Sequence, residues 1–263
     1  MSEYLRGKSA IVTGASSGIG REVALAFARE GANVLAVARR QDRLKDLAQA
    51  KENKSSRGEI VPHVIDIREH GSEDSITQAA VSAFGGIDIL VNNAAVGMNE
   101  PFTELSHREI DRIIQTNLLA PAFLSQKVLP IMIQNESGHL VFVTSLAGKL
   151  GFPGLSAYSA SKFGIEGLAE SIRREVRPSN IAVTVLRPGV TDTEFFEHAN
   201  MTDFQKQARS AGSMHPASKV AEELVAKIAK KPNEIVVGND KWFLRIMPFV
   251  PEKLRFAVLG LFS

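Results

Sequence analysis

In the run Tyr158-Ser-Ala-Ser-Lys162 a phenol and an ammonium lie four residues apart, a spacing that puts both on one face of a helix. A free phenol titrates near ~10 and is a poor base at neutral pH. A neighbouring positive charge favours its phenolate. Tyr158 could then exchange a proton with a substrate oxygen while a hydride moves at the adjoining carbon. The chain has only two tyrosines, so the pairing is not drawn from a crowd, although the same spacing also occurs on ordinary helix surfaces. Ser145 precedes Tyr158 by thirteen positions and ends a strand-like run, where its hydroxyl could hold a carbonyl oxygen beside the phenol. Asn117 sits inside a helical pattern that disfavours asparagine; a kink, a bound water or simple exposure would each explain it. Taken alone, Ser145 and Asn117 read as structural before catalytic.

A hydride needs a carrier, and the N-terminal region offers a place for one. A first strand ends in Thr13-Gly14-Ala15-Ser16-Ser17-Gly18-Ile19-Gly20 and runs straight into a helix pattern. Gly14 and Gly18 let the backbone turn sharply, and the N–H groups of Ser16 to Ile19 at the helix start suit a pyrophosphate. Gly20 permits close packing of helix on strand. About 20 residues on, NAD binders carry an acidic residue for the ribose 2′-hydroxyl. Here the second strand ends in Arg39-Arg40. Paired guanidiniums suit a 2′-phosphate in charge and in fork geometry, with Ser17 able to add a hydroxyl. Arginine at a helix start also runs against the helix dipole, so no structural preference explains the pair. The expected cofactor is NADP(H). Asp66 and Ile67 close a third strand, where the carboxylate could accept from an adenine amino group; an ordinary turn aspartate is an equal reading. Asn92-Asn93-Ala94-Ala95 closes a fourth, two amides and small side chains that suit a ligand lying close.

These residues need a frame that brings strand ends together. Strand candidates fall at Ser9–Thr13, Asn33–Ala38, Ile60–Ile65, Ile87–Val91, His139–Thr144, Ile181–Leu186 and Glu234–Val237. Most are continuous apolar runs, as expected of parallel strands buried on both faces. Helical patterns fill the gaps at Gly18–Glu30, Gln41–Lys54, Ser72–Phe84, Thr103–Gln134, Ser156–Val176 and Ala217–Lys230, with Pro121 expected to bend the fourth. Alternating strands and helices predict a three-layer, doubly wound Rossmann fold on a seven-stranded parallel sheet. With no linker or repeat, residues 1–263 read as one domain.

Composition narrows the function classes. A net charge of +2 over 263 residues gives no basic footprint for nucleic acid. The absence of cysteine excludes disulfides, thiolate catalysis and Cys-ligated metals, and no metal site is expected. The N-terminus lacks the apolar run of a signal peptide, and no uncharged apolar stretch reaches 18 residues. A cytoplasmic setting is the expectation.

Taken together the residues resemble the short-chain dehydrogenase/reductase family, in the branch with chains of about this length. The likeness rests on Thr13-Gly14-x-x-x-Gly18-Ile19-Gly20, on Asn92–Ala95 against N-N-A-G, and on Asn117, Ser145 and Tyr158-x-x-x-Lys162. After the sixth strand, Pro188-Gly189-Val190-Thr191-Asp192-Thr193 is similar to the family's P-G turn. The resemblance implies that Tyr158 is the acid/base and that Lys162 lowers its pKa and binds the nicotinamide ribose. It further implies that Ser145 orients the substrate oxygen and Asn117 holds a relay water. Thr191 or Thr193 would meet the carboxamide beside Pro188 and Gly189, Asn93 and Ala94 would lie along the adenosine, and Arg39 would mark an NADP(H) user. Homodimers or homotetramers through the helices flanking strand five are implied as well. Ala95 in place of glycine is a departure, harmless if its φ is negative.

Substrate choice is expected in residues 192–215, where Phe195, Phe196, Met201, Phe204 and Met214 would form an apolar lid. An aromatic helix face packed on the core is the plainer alternative. The apolar tail, residues 242–263, could cover the cleft, join subunits, or lie on a membrane with Arg245, Lys253 and Arg255 at the headgroups. Packing within the protein or its oligomer is the first choice, peripheral membrane contact the second. The leading function is therefore NADP(H)-dependent hydride transfer to or from a small-molecule carbonyl or alcohol, with a hydrophobic substrate expected from the lid. A nucleotide-sensing protein without chemistry and a membrane-associated lipid binder are the competing readings.

Overall fold

The structure is a computed structural model that describes residues 3–52, 57–238 and 250. Seven strands form one parallel sheet: β1 (Ser9–Thr13), β2 (Asn33–Ala38), β3 (Ile60–Val64), β4 (Ile89–Asn92), β5 (Gly138–Val143), β6 (Ile181–Pro188) and, last in the chain, β9 (Glu234–Val237). Their order across the sheet is β3-β2-β1-β4-β5-β6-β9. The register runs Ser9 to Asn33 on one side of β1 and Ala10 to Ile89 on the other. The expected fold is what the chain forms.

The sheet is apolar because both faces are covered. Side chains alternate across a strand, and each strand feeds two cores. Ala10, Val12, Val34, Ala36, Val141 and Val143 face a layer that includes Val23, Ala24 and Phe27 of α1 (Gly18–Arg29) and Leu44 and Leu47 of α2 (Gln41–Glu52). Val220 and Leu224 of α9 (Ala217–Ile228) complete that layer. Ile11, Leu35, Leu90, Leu140 and Phe142 face the other side. There they meet Ile76 of α3 (Ser72–Phe84), Leu124 and Val128 of α5 (Ala120–Gln134) and Ile165 and Ala169 of α6 (Ser156–Glu175).

The fourth helical region departs from expectation. It begins at α4 (His107–Ile114), where the Ser106 hydroxyl accepts the Glu109 N–H at 3.2 Å. A π-helical turn over Gln115–Leu119 then leads into α5. There the Ala120 N–H reaches back to the carbonyl of Gln115, five residues away. Pro121 has no N–H for the Asn117 carbonyl, so the α-helical ladder cannot close there. The distortion therefore lies before the proline, around Asn117.

Residues 192–215 contain two short helices, α7 (Phe195–His198) and α8 (Thr202–Ser210). A two-stranded parallel pair closes the segment: β7 (Thr191–Asp192) meets β8 (His215–Pro216), with Thr191 opposite His215. The sheet order reverses between β1 and β4, so a crevice opens beyond their C-terminal ends, where open α/β sheets hold ligands. The tail at 242–263 lies outside the described residues apart from Val250.

Candidate active site

The crevice is built by small contacts at the ends of β1 and β4. The Thr13 hydroxyl accepts the N–H groups of Asn93 at 3.0 Å and Ala94 at 3.1 Å, and donates to the Val91 carbonyl at 3.3 Å. Asn93 Nδ2 donates to the Thr13 carbonyl at 2.9 Å. Gly14 has φ +69°, and a β-carbon there would stand 2.9 Å from the Ala94 Cα. Glycine is thus required both for the turn and for the close approach of β4. Asn92 is buried, donates to Ser125 Oγ at 3.0 Å, and leaves its Oδ1 without a partner among the described residues. Ala95 is not among the described non-glycine residues with positive φ, so its methyl group is accommodated.

The 2′-phosphate candidates separate in space. Arg40 donates to Ser16 Oγ from Nε at 3.0 Å and from Nη2 at 2.9 Å, and to Ser17 Oγ at 2.6 Å. Arg39 points instead toward Asp66 at 3.7 Å and is 63% exposed. Arg43, one turn along α2, joins Arg40 in pairing with Glu194. Arg43 was not expected from the sequence, and Glu194 was expected only as part of the 192–215 segment and not as a partner of the arginines. The only hint is Arg43 at i+3 from Arg40.

Asp66 accepts the Arg68 N–H at 3.0 Å and its guanidinium at 2.6 Å. That hydrogen bonding holds its carboxyl below the usual range against a smaller opposing effect of burial. It is thus first a turn aspartate closed on its own neighbour. Ile67 packs its side chain on the α3 side of the sheet and its carbonyl accepts Ser72 Oγ at 2.9 Å.

Tyr158, Lys162 and Ser145 gather at the end of β5. Tyr158 is 8% exposed and Lys162 3%. Lys162 donates to the Val143 carbonyl at 3.1 Å, and its Nζ lies 5.6 Å from the Tyr158 ring centroid. Ser145 Oγ accepts the Ala147 N–H at 3.2 Å, which turns the chain toward the tyrosine. Burial pushes the Tyr158 phenol up to about 12, with a hydrogen bond to Ser145 opposing it. Burial also brings Lys162 down to about 8, opposed by the charge of Glu166. The phenol is thus raised by burial rather than lowered by Lys162 as the i,i+4 spacing leads one to expect. Glu166 is itself held by buried Arg187 at 2.6 Å.

Asn117 is 2% exposed and braces the loop after β4. Its Oδ1 accepts the Val96 N–H at 2.8 Å, and its Nδ2 donates to the Val96 carbonyl at 2.8 Å and to Ser161 Oγ at 3.0 Å.

The 192–215 segment packs against the phenol. The Phe195 ring centroid is 5.2 Å from that of Tyr158, and Phe152 and Met201 pack on the same cluster as Leu155. Thr193 sits over the Gly14–Gly20 turn, its methyl 3.0 Å from where a β-carbon of Gly18 would stand. Thr191 is buried and donates to the Gly189 carbonyl at 2.9 Å, within the turn that Pro188 opens. Of the two threonines, Thr193 is the one that reaches the crevice.

The short-chain dehydrogenase family model matches residues 8–203, and the chain belongs to that family. It is an oxidoreductase acting on carbonyl or alcohol groups with a nicotinamide cofactor. The bovine (Bos taurus) dehydrogenase/reductase SDR family member 7B is 30% identical, over 100% of this chain and 81% of its own length. The bovine 3-ketodihydrosphingosine reductase is 32% identical, over 91% of this chain and 74% of its own. A metagenomic short-chain oxidoreductase solved with NADP superposes with a TM-score of 0.74 at 29% identity, covering 88% and 97% of the two chains. Among the described residues, no helix is long and apolar enough to cross a membrane.

Proposed function

We propose that this protein is an NADP(H)-dependent reductase of apolar ketones or aldehydes, with Tyr158 as the acid, Ser145 and Lys162 beside it, and Asn117 as the brace behind them. The observation that carries the reading is a buried, protonated phenol next to Ser145 and Lys162 and roofed by Phe195. When bound, the cofactor supplies a hydride to the carbonyl carbon. The carbonyl π pair then moves onto oxygen, and that oxygen takes the Tyr158 proton. Ser145 holds the same oxygen by its hydroxyl. Lys162 carries charge below about pH 8 and steadies the phenolate left behind, which recovers its proton from water. Water held near the Asn117 turn would complete that return path.

Support for NADP(H) comes from the donor set of Arg40, Arg43, Ser16 and Ser17 at the end of β2, which suits a dianionic phosphate. The Gly14 to Gly20 turn and Asn93 would receive the pyrophosphate and adenosine, and Thr193 the carboxamide. An apolar substrate is supported by Phe152, Phe195 and Met201 around Tyr158, and by a relative named for a ketodihydrosphingosine. Exposed Phe123 on α5 and Phe163 on α6 support a homodimer or homotetramer built on those helices. A cytoplasmic setting fits these assignments. Packing of 242–263 within the assembly competes with membrane contact, and vesicle flotation with and without that tail separates the two.

Fluorescence titration with NADPH and NADH, followed by turnover on a panel of ketones, aldehydes and quinones, tests the function. Tyr158→Phe should cut turnover by about 10³-fold, the scale of a general acid, while NADPH still binds. Preference for NADH would refute the arginine argument, and binding without turnover on any substrate would favour a sensing role.

A further inference from the structure

Glu194 occupies an unusual position for a lid residue. Its Oε2 accepts Arg40 Nη1 at 2.8 Å, its Oε1 accepts Arg43, and the same Arg40 guanidinium spans the Ser16 and Ser17 hydroxyls. A carboxylate from the lid is thereby held by the donors that the preceding section assigns to a phosphate, 154 residues away from Arg40 in sequence. The two arginine pairs hold the Glu194 carboxyl down at about 2, so it is ionised at any working pH.

We propose that Glu194 and the 2′-phosphate of NADP(H) are alternative occupants of the Arg40–Arg43–Ser16–Ser17 cluster, so that the phosphorylated cofactor releases the lid while NAD(H) leaves it latched. The inference rests on the NADP(H) reading above. Two guanidiniums and one carboxylate leave the cluster with a single net positive charge. A phosphate of charge roughly −2 makes it about −1 if Glu194 stays and about neutral if Glu194 leaves. Like charges sharing a half-buried cluster repel, so the carboxylate gives way.

Release at Glu194 carries to the reacting end through its neighbours in the chain. Thr193 packs on Gly18 of the phosphate turn, and Phe195 lies over Tyr158 at 5.2 Å. One three-residue run thus contacts the phosphate cluster, the phosphate turn and the acid. Glu194 is therefore a residue that discriminates between cofactors and couples that choice to access to the site.

The test is calorimetric titration of the full-length protein and of Glu194→Gln with 2′,5′-ADP and with 5′-AMP. A latch favoured tenfold over its open form weakens the 2′-phosphorylated ligand tenfold. Glu194→Gln should therefore bind 2′,5′-ADP about tenfold tighter, equivalent to about 1.4 kcal/mol, with 5′-AMP unchanged. Hydrogen exchange of residues 194–210 in the unaltered protein should rise with 2′,5′-ADP and not with 5′-AMP. A wild-type preference for 2′,5′-ADP that Glu194→Gln leaves unchanged, weakens, or matches with an equal gain for 5′-AMP overturns the latch alone. Indifference to the 2′-phosphate in both proteins overturns the NADP(H) reading and the latch with it.

Discussion

Asn117→Ala separates a bracing role from a purely chemical one. The side chain makes three hydrogen bonds, at 2.8, 2.8 and 3.0 Å, from a position 2% exposed. Two of them satisfy both backbone groups of Val96, and the third reaches Ser161, whose hydroxyl donates to the Tyr158 carbonyl at 2.7 Å. A neutral hydrogen bond contributes about 1 kcal/mol net. Val96 is half-buried, so water can partly replace what is lost. The sum is at most about 3 kcal/mol, which for a chain of this size lowers Tm by up to about 6–12 °C. Asn117→Asp keeps the bond from the Val96 N–H, but it removes both donors and sets a carboxylate against the Val96 carbonyl. It should cost at least as much. Because Val96 follows the Asn92–Ala95 run, cofactor affinity should fall along with stability. Scanning calorimetry and cofactor titration on both variants give the answer. A Tm within about 2 °C of the parent for Asn117→Ala would refute the bracing argument.

Three further outcomes follow from the structure. A β-carbon on Gly20 would stand 2.5 Å from both the Gly14 carbonyl oxygen and Asn93 Nδ2; Gly20→Ala should cost about 1–3 kcal/mol by overpacking and weaken cofactor binding, read from the urea midpoint and a fluorescence titration. Carbonyl reduction should fall as pH rises past about 8, where Lys162 loses its charge while Tyr158, at about 12, keeps its proton. For stability the sign is opposite, because the Lys162 pKa is depressed from 10.5 on folding. The unfolded chain then binds the extra proton between pH 8 and 10.5, and this group's contribution to stability rises over that window. A flat kcat/KM from pH 7 to 10 would refute the first expectation, and an unchanged difference in urea midpoint between the parent and Lys162→Met over pH 8–10 the second.

The layers of the fold were legible because their cause is local. Runs such as Ala10-Ile11-Val12 and Leu140-Val141-Phe142 supply both faces of a buried strand, and every one of the seven strands lies within a few residues of its expected place. The π-helical turn was not legible: Pro121 announces a break, but the missing N–H acts on a carbonyl four residues upstream. The strands β7 and β8 are two residues each, too short to show a period. Tyr158, Lys162 and Ser145 stand out by spacing and type. By contrast, Arg43 and Glu194 meet only through folding across 151 residues, and no local pattern records that contact. Burial likewise escaped the spacing argument, since i and i+4 place Lys162 near Tyr158 without saying how little water reaches either.

The short β7–β8 pair has a consequence for how such a chain can change. Thr191 with His215 and Asp192 with Pro216 clamp the two ends of the 193–214 loop to each other. The ends stay fixed whatever lies between them, and doubling the length of a loop costs only about 0.6 kcal/mol in closure entropy. Beyond Thr193 and Glu194, the segment is therefore an exchangeable cassette. Its length and aromatic content can drift while Gly14, Tyr158 and Lys162 stay under constraint, so new substrate ranges can arise on an unaltered hydride-transfer frame.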